Sequence, residues 1–448
     1  MSVPGGHGTE TSVISLTGKA LKAARPCQMK PAAASHASPA GCIWHGRDRL
    51  AGVTLGLALA ALLAGCPSGG GSSGGSAKHA GGEPLADGMV VKVGVVLELT
   101  GKDATFGEET RNGLEMALED LKGKDPWSIK LVTRDNKCDP QESEHAAQEL
   151  IEVEGVRAII GAVASSNTKK AAKICQESEI PLSSPGSTAD SITMHEEGGK
   201  LVRSEYISRV CFTDSFQGEV CAQFGAKELG KKRAAILIDQ ASDYARGLAK
   251  SFRETWARAG GEVATEQSYI AKESDFSAVI RKVADAKPEV IFIPGYYSDV
   301  GPMLKQALDL WKGIPKLGGD GWDSPDLFSL AGPDALADCY ISSHYAPDDQ
   351  TPIVKEFVAR YKKRYNKDPG SMCVLGYDAG LVIHDAIKRA NTTDPRKIKD
   401  AINGTKDFPG VTGTISLDAN GNPHKDAVVL RIENGHYTFR ARVKPSAP

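Results

Sequence analysis

From Met89 onward the chain alternates short β-branched apolar runs with stretches of helical period, and this alternation restricts its fold more than any other feature. Val90–Leu97 (VVKVGVVL) reads as a buried strand, after which Leu114, Ala117, Leu118 and Leu121 recur at helical spacing. Residues 129–133, 156–161 and 180–184 read as further strands, separated by helices at 141–154 and 168–179. After an irregular stretch the order restarts. Arg233–Asp239, 262–270 and 289–294 read as strands, with helices at 245–259, 276–286 and 300–310. Such alternation gives an α/β chain whose parallel sheets carry helices on both faces. The restart near 213–233 divides the strands between two doubly wound sheets instead of one very wide one. Helices at Pro352–Tyr365 and 373–390 follow, then an antiparallel pair turning at 418–422. That turn has the spacing of a calcium loop but fails at its decisive positions. Pro423 stands where the loop needs glycine, and Val429 where it needs a bidentate glutamate.

The segment before Met89 is of another kind. It holds 17 of the 48 glycines and, of the aromatic residues, only Trp44, so it lacks the apolar surface to offset the entropy of ordering. Arg47 and Arg49 precede fifteen uncharged residues, 50–64, too short for a comfortable bilayer span and closed by small residues. Leu63-Ala64-Gly65-Cys66 follows, with Pro67 and a Gly/Ser run behind it. Residues 1–65 are therefore expected to be an export signal, with Met29 an alternative start, and residues 66–88 a flexible tether. Of nine cysteines, Cys27 and Cys42 fall in the signal. Besides Cys66 this leaves Cys138, Cys175, Cys211, Cys221, Cys339 and Cys373, an even number that permits three bridges in any of about 15 pairings.

In open parallel sheets ligands bind beyond the carboxyl ends of the strands. The loops there are 98–107 (ELTGKDATFG), 162–168 (AVASSNT) and 185–188 (PGST), then 239–244 (DQASDY), 295–297 (GYY) and 319–322 (GDGW). Ser165 stands where a helix begins and suits either a cap or an anion contact. Thr188 lies in a turn. Asp320, between glycines, suits either a solvated turn or an ammonium partner. Phe106, Tyr244 and Tyr296 suit packing or the wall of a pocket. No G-x-S-x-G, H-E-x-x-H or Walker lysine occurs, and no Cys/His cluster has zinc spacing. A binding module is expected in preference to an enzyme, with no metal and no cofactor. The formal net charge of −2 gives no basic surface for nucleic acid.

Nine segments occur in the order VGVVLELTGKDATFG, GLEMALEDL, RDNKCDP, IIGAVASSNT, SSPGST, RVCFTDSFQG, DQASDYARGLA, FIPGYY and GGDGWDS. In this order the chain from 89 to 440 resembles the leucine/isoleucine/valine-type solute-binding proteins of ABC importers, which have the type I periplasmic-binding fold. The resemblance implies two lobes joined by three crossovers. Here these would be 89–213 with 346–427, and 214–345 with 428–445. It implies that Ser165 binds a ligand carboxylate, and that Gly186 and Thr188 hold the carboxylate and amino group, with Ala164 and Ser187 completing the turn. It implies further that Asp320 pairs with the ammonium and that Tyr244, Tyr296 and Phe106 close over the ligand. Asp320 departs from the glutamate of the best-known members, and Ala164 occupies the position of the usual disulfide partner of Cys138. Glu98 and Trp322 would flank the side-chain pocket. The lipobox-like sequence before Cys66 resembles that of bacterial lipoproteins, in which this cysteine carries the lipid.

The expected function is thus that of an extracytoplasmic lipoprotein, in the periplasm or cell envelope and anchored in the membrane by its lipid. It would act as a monomer, bind a branched-chain-type amino acid or related amide, and work with the membrane subunits of an ABC importer. Two alternatives share the fold: a ligand sensor for a signalling partner, and an envelope interaction protein with a vestigial cleft.

Overall fold

The computed structural model describes residues 13–14 and 81–445, apart from Lys272. The expected signal, Cys66 and the Gly/Ser run lie outside these residues. Five parallel strands form one sheet in the order Ser128–Asp135, Val90–Leu97, Ala158–Gly161, Leu182–Ser184 and Ile207–Arg209. Covered by helices, its central strands are buried almost throughout, which is why they read as continuous apolar runs.

The second sheet is mixed. Glu262–Tyr269, Arg233–Asp239, Val290–Phe292, Lys316–Gly318 and Cys339–Ser343 run parallel. Ala427–Glu433 and His436–Val443 then join antiparallel, and Val13–Ile14 pairs with the last strand. The chain passes between the two layers three times. It does so after Ile207–Arg209 into helix Asp214–Gln223, after Cys339–Ser343 into helices Pro352–Tyr365 and Ser371–Ala390, and from Gly413–Ile415 into Ala427–Glu433. Two sheets with three passes between them match the arrangement that the resemblance implied.

Three expectations need correction. The turn at 418–422 forms, with Asp418 Oδ1 accepting from the amides of Asn420 and Asn422, but it closes only an isolated Leu417–Pro423 bridge. The true terminal hairpin turns later, at Asn434-Gly435, both with positive φ. The stretch after 185 is not wholly irregular. Met194–Glu197 and Lys200–Arg203 pair across Gly198-Gly199, a hairpin whose charged strands leave no apolar alternation to read. The six cysteines within the described residues are all free, so the bridges that their even number permits do not form.

Helix Ala104–Leu121 crosses Ser371–Ala390 at glycines. A methyl on Gly113 would lie 1.9 Å from Cys373 O, and one on Gly376 would lie 2.4 Å from Thr110 O. The close crossing also buries Glu109, whose carboxylate has no hydrogen-bond partner among the described residues and lies 3.9 Å from Lys367 Nζ. Burial, reinforced by the charge of Asp323, pushes its pKa up to about 8. Asp323 is also raised by burial, to about 6, although Ser371 and Ser343 donate to it.

Gly376→Ala should therefore destabilise the fold by at least the 1–3 kcal/mol typical of overpacking, at about that order; urea unfolding of the variant beside wild type measures it. For Glu109 the sign follows from linkage. A carboxyl raised in the folded state adds stability in full below its unfolded value of 4.5, and this stability is lost as pH rises from there to about 8. Glu109→Gln should then melt above wild type at pH 8, with the gain fading towards pH 4.5. An equal shift at both pH values would show that the carboxyl does not titrate in this range.

Candidate functional site

The carboxyl ends of the two sheets face each other, and the six loops expected to bind meet there. On the first sheet the organising group is Glu98. Its carboxylate accepts from the amides of Val163 (3.2 Å) and Ala164 (3.1 Å) and from the side chains of Asn167 (2.9 Å) and Asn136 (3.2 Å). Burial raises its pKa, and these donors act in the opposite direction. Glu98, expected beside the side-chain pocket, is instead committed to holding the 162–168 loop. Trp322, expected there too, is fully buried and donates from Nε1 to Ile293 O at 3.0 Å.

Ser165 is the first residue of helix Ser165–Glu177, and the cap is Ala164, which has no side chain to offer. Capping therefore does not explain the Ser165 hydroxyl, which is buried and accepts from the amide of Ala189 at 3.3 Å. Ser187 is used inside the turn: its hydroxyl donates to Val163 O at 2.8 Å and lies against Thr168 Oγ1, and its amide donates to Ser184 Oγ at 3.0 Å. Gly186 is flush against Met372, whose Sδ would lie 2.7 Å from an added methyl. Thr188 differs from both. Its carbonyl accepts from the Asp214 amide at 2.7 Å, while its buried hydroxyl lies against the Asp214 carboxylate.

The second sheet contributes Tyr244 and Tyr296, stacked at 5.1 Å with their planes 8° apart. Tyr244 Oη accepts from the Gly321 amide at 3.1 Å and donates to Gln217 Oε1 at 3.4 Å. Gln217 Nε2 donates in turn to Asp320 Oδ1 at 2.8 Å, and His344 Nε2 lies 2.9 Å from Asp320 Oδ2. His344 stacks on Phe212 at 3.8 Å, and burial lowers its pKa, favouring a neutral ring that donates to Asp320. The glycines flanking Asp320 have a steric reason. A methyl on Gly319 would meet Tyr244 Oη at 2.2 Å, and one on Gly321 would meet Gly295 O at 2.7 Å and both tyrosine rings at 3.0 Å. Burial pushes the hydroxyls of Tyr244 and Tyr296 well above the ordinary tyrosine range, so both remain protonated donors.

Contacts run directly between the two sides. Phe106 meets Tyr296 edge-on at 5.8 Å and Tyr297 at 5.0 Å, and the Tyr296 hydroxyl reaches the Ser165 backbone. Lys102 Nζ bonds Asp299 Oδ2 at 2.8 Å and Asp103 at 3.1 Å, and Ser298 donates to Asp103 at 2.6 Å. Burial opposes the Lys102 charge, but Asp103 and Asp299 outweigh it and hold its pKa above the usual value. Ser166 Oγ accepts from the Asp243 amide at 3.1 Å.

The junction thus brings together Ser165, Gly186, Thr188, Tyr244, Tyr296, Phe106 and Asp320, with Ala164 and Ser187 in supporting turns. It adds three residues that the sequence reading passed over: Asp214, Gln217 and His344. The first two lie in the TDSFQG segment, whose Thr213 cap marks a helix start. His344 follows a strand with no signal of its own. Among the described residues no group of His, Cys, Asp and Glu is arranged to hold a metal ion.

Comparison with known proteins agrees with this architecture. The family described as Periplasmic binding protein matches residues 90–436. The leucine-, isoleucine-, valine-, threonine- and alanine-binding protein of Pseudomonas aeruginosa is 29% identical over 357 residues, which are 77% of this chain and 92% of that protein. The leucine-binding protein LivK of Thermotoga maritima superposes with a TM-score of 0.74 at 36% identity, covering 79% of this chain and 99% of that one. LivJ of Streptococcus pneumoniae, in complex with isoleucine, superposes with a TM-score of 0.73 at 30% identity, covering 80% and 100%. With a two-sheet fold, a buried junction between the sheets and a family match across nearly all the described residues, the chain belongs to the periplasmic binding protein family.

Proposed function

We propose that this protein is the extracytoplasmic substrate-binding component of an ABC importer and that it takes an α-amino acid of the branched-chain type, or a related amide, between its two lobes. The lobes are residues 89–213 with 346–427, and 214–345 with 428–445. The observation that carries the reading is the pairing of unlike polar ends in one buried junction. At one end are the Ser165 hydroxyl and the start of helix Ser165–Glu177, which favour a carboxylate. At the other end are the Thr188 hydroxyl and buried carboxylates, which favour an ammonium. Tyr244, Tyr296 and Phe106 form the apolar walls between.

A zwitterion carries both charges at a fixed separation and satisfies both ends at once. Hydrogen bonds to charged groups contribute about 1.5–3 kcal/mol each, and a buried group left unpaired is costly. The arrangement therefore discriminates against simple amines and simple acids. A ligand held from both lobes stabilises their approach, which is the form an importer would recognise. The relatives described above, one binding leucine, isoleucine, valine, threonine and alanine, one binding leucine and one solved with isoleucine, support the ligand class. Cys66, outside the described residues, is proposed as the lipid-bearing residue that tethers the protein as a monomer to the envelope membrane.

Two measurements test this. In a thermal-shift panel of amino acids, amides and small carboxylates, a branched-chain amino acid at 100 times its dissociation constant should stabilise the protein by about 2.7 kcal/mol; no shift across the panel would overturn the reading. For the anchor, labelled palmitate should enter the wild-type protein in cells and not Cys66→Ser. Label in both would place the lipid elsewhere.

A further inference from the structure

Two buried carboxylates, one from each of the lobes proposed above, meet at the second crossover. Glu109 lies on helix Ala104–Leu121 of the first lobe, and Asp323 follows Trp322 in the second. They rest against consecutive residues at the start of helix Ser371–Ala390. A methyl on Gly370 would lie 2.1 Å from Glu109 Oε2. Asp323 Oδ2 accepts from the Ser371 amide at 3.3 Å and from Ser343 Oγ at 2.9 Å. A third acid of the second lobe, Asp326, also acts on Glu109 and accepts from Thr105 Oγ1 across the same boundary.

The charge at this contact is mostly negative. Lys367 is the cation facing Glu109, with Nζ 3.9 Å from Oε1, and its side chain keeps 41% of its exposure. Asp320 adds its charge to Asp323 from the second lobe. The other titratable groups around the pair are Tyr345, Tyr361, Cys373 and Tyr437, and burial pushes all four upwards, so they stay neutral near pH 7. The Gly370 amide and Lys367 favour an ionised Glu109, but burial and the two aspartates outweigh them. Carboxylates packed together without water keep a proton that they would release once water came between them. Helices Ala104–Leu121 and Ser371–Ala390 both belong to the first lobe. Parting the lobes would therefore leave Glu109 in its place and take Asp323 and Asp326 away from it.

We infer that closure of the lobes takes up a proton onto the Glu109–Asp323 pair, so that ligand affinity rises as the medium becomes more acidic. The inference rests on the amino-acid-binding reading above, because the ligand is what drives closure. By linkage, a closed form that keeps the proton to higher pH than the open form is favoured at pH 6 over pH 8. Glu109, raised to about 8, and Asp323, raised to about 6, span this window. One proton taken up per closure changes affinity by about tenfold per pH unit.

Calorimetric titration with L-leucine at pH 6, 7 and 8, in two buffers of unlike ionisation enthalpy, reads both the affinity and the protons bound. Wild type should take up protons on binding at pH 7 and hold leucine at least tenfold more tightly at pH 6 than at pH 8. Glu109→Gln, which keeps the shape of the protonated side chain, should bind within threefold of one affinity throughout and take up no proton. Asp323→Asn should lower the uptake. Wild-type affinities within twofold of each other, or a pH dependence kept in full by Glu109→Gln, would overturn the inference. If neither variant folds, Lys367→Met at the surface decides. Loss of the cation should enlarge the uptake at pH 8, and an unchanged count would overturn the inference. A wild type that binds no leucine at any pH would count against the functional reading itself, and the inference would fall with it.

Discussion

The junction between the sheets depends on one buried carboxylate whose bonds are spent within its own side. Glu98 gathers two amides and two asparagine side chains, and so fixes the turn from which helix Ser165–Glu177 starts. A buried charge is tolerated only when donors surround it, and here the donors come from two separate segments, Val163, Ala164 and Asn167 from one and Asn136 from the other. The same bonds set where Ser165 stands, how the Ser187 turn packs on Val163, and hence where Thr188 presents its hydroxyl.

The opposite side is built on another principle. No charge organises it; two stacked tyrosines do, and they fit only because residues 319 and 321 lack side chains. A chain of hydrogen bonds then leads from Tyr244 through Gln217 to Asp320 and His344. One face of the junction is therefore rigid through satisfied polar groups, and the other through aromatic packing with a polar network behind it. Thr188 and Asp214, tied by the bond from the Asp214 amide to Thr188 O, lie where the first crossover joins the two.

Much of this was legible beforehand. The parallel strands announced themselves because burial on both faces makes them continuous apolar runs, and the binding loops followed from the ends of those strands. The Met194–Glu197 hairpin was hidden because its few apolar residues, Met194, Leu201 and Val202, do not alternate with the polar ones and Leu201 is exposed. The last hairpin was misplaced because the longer run of turn residues at Asp418-Ala419-Asn420-Gly421-Asn422 drew the reading, although Asn434-Gly435 is the pair that a two-residue hairpin turn favours. Within the site, the residue types at Ser165, Thr188 and Asp320 were visible, but their hydrogen-bond states were not. A sequence cannot say that Ser187 is already engaged, that Asp320 is held by a histidine 24 positions away, or that Asp214 lies buried against Thr188.

The Lys102 cluster has a bearing on time as well as on affinity. Lys102, Asp103, Ser298 and Asp299 sit beside the aromatic walls, and Lys102 keeps 22% of its side-chain exposure. The bonds of Lys102 to Asp299 and of Ser298 to Asp103 span the two edges and would be lost together if the edges parted, whereas Lys102–Asp103 lies within one loop and would remain. On the proposed function, the spanning bonds would deepen the well from which an enclosed ligand escapes, without touching that ligand. Dissolved ions reach a rim of this kind more readily than the interior, so residence time and selectivity can be tuned separately: the first by the medium at the rim, the second by the groups inside.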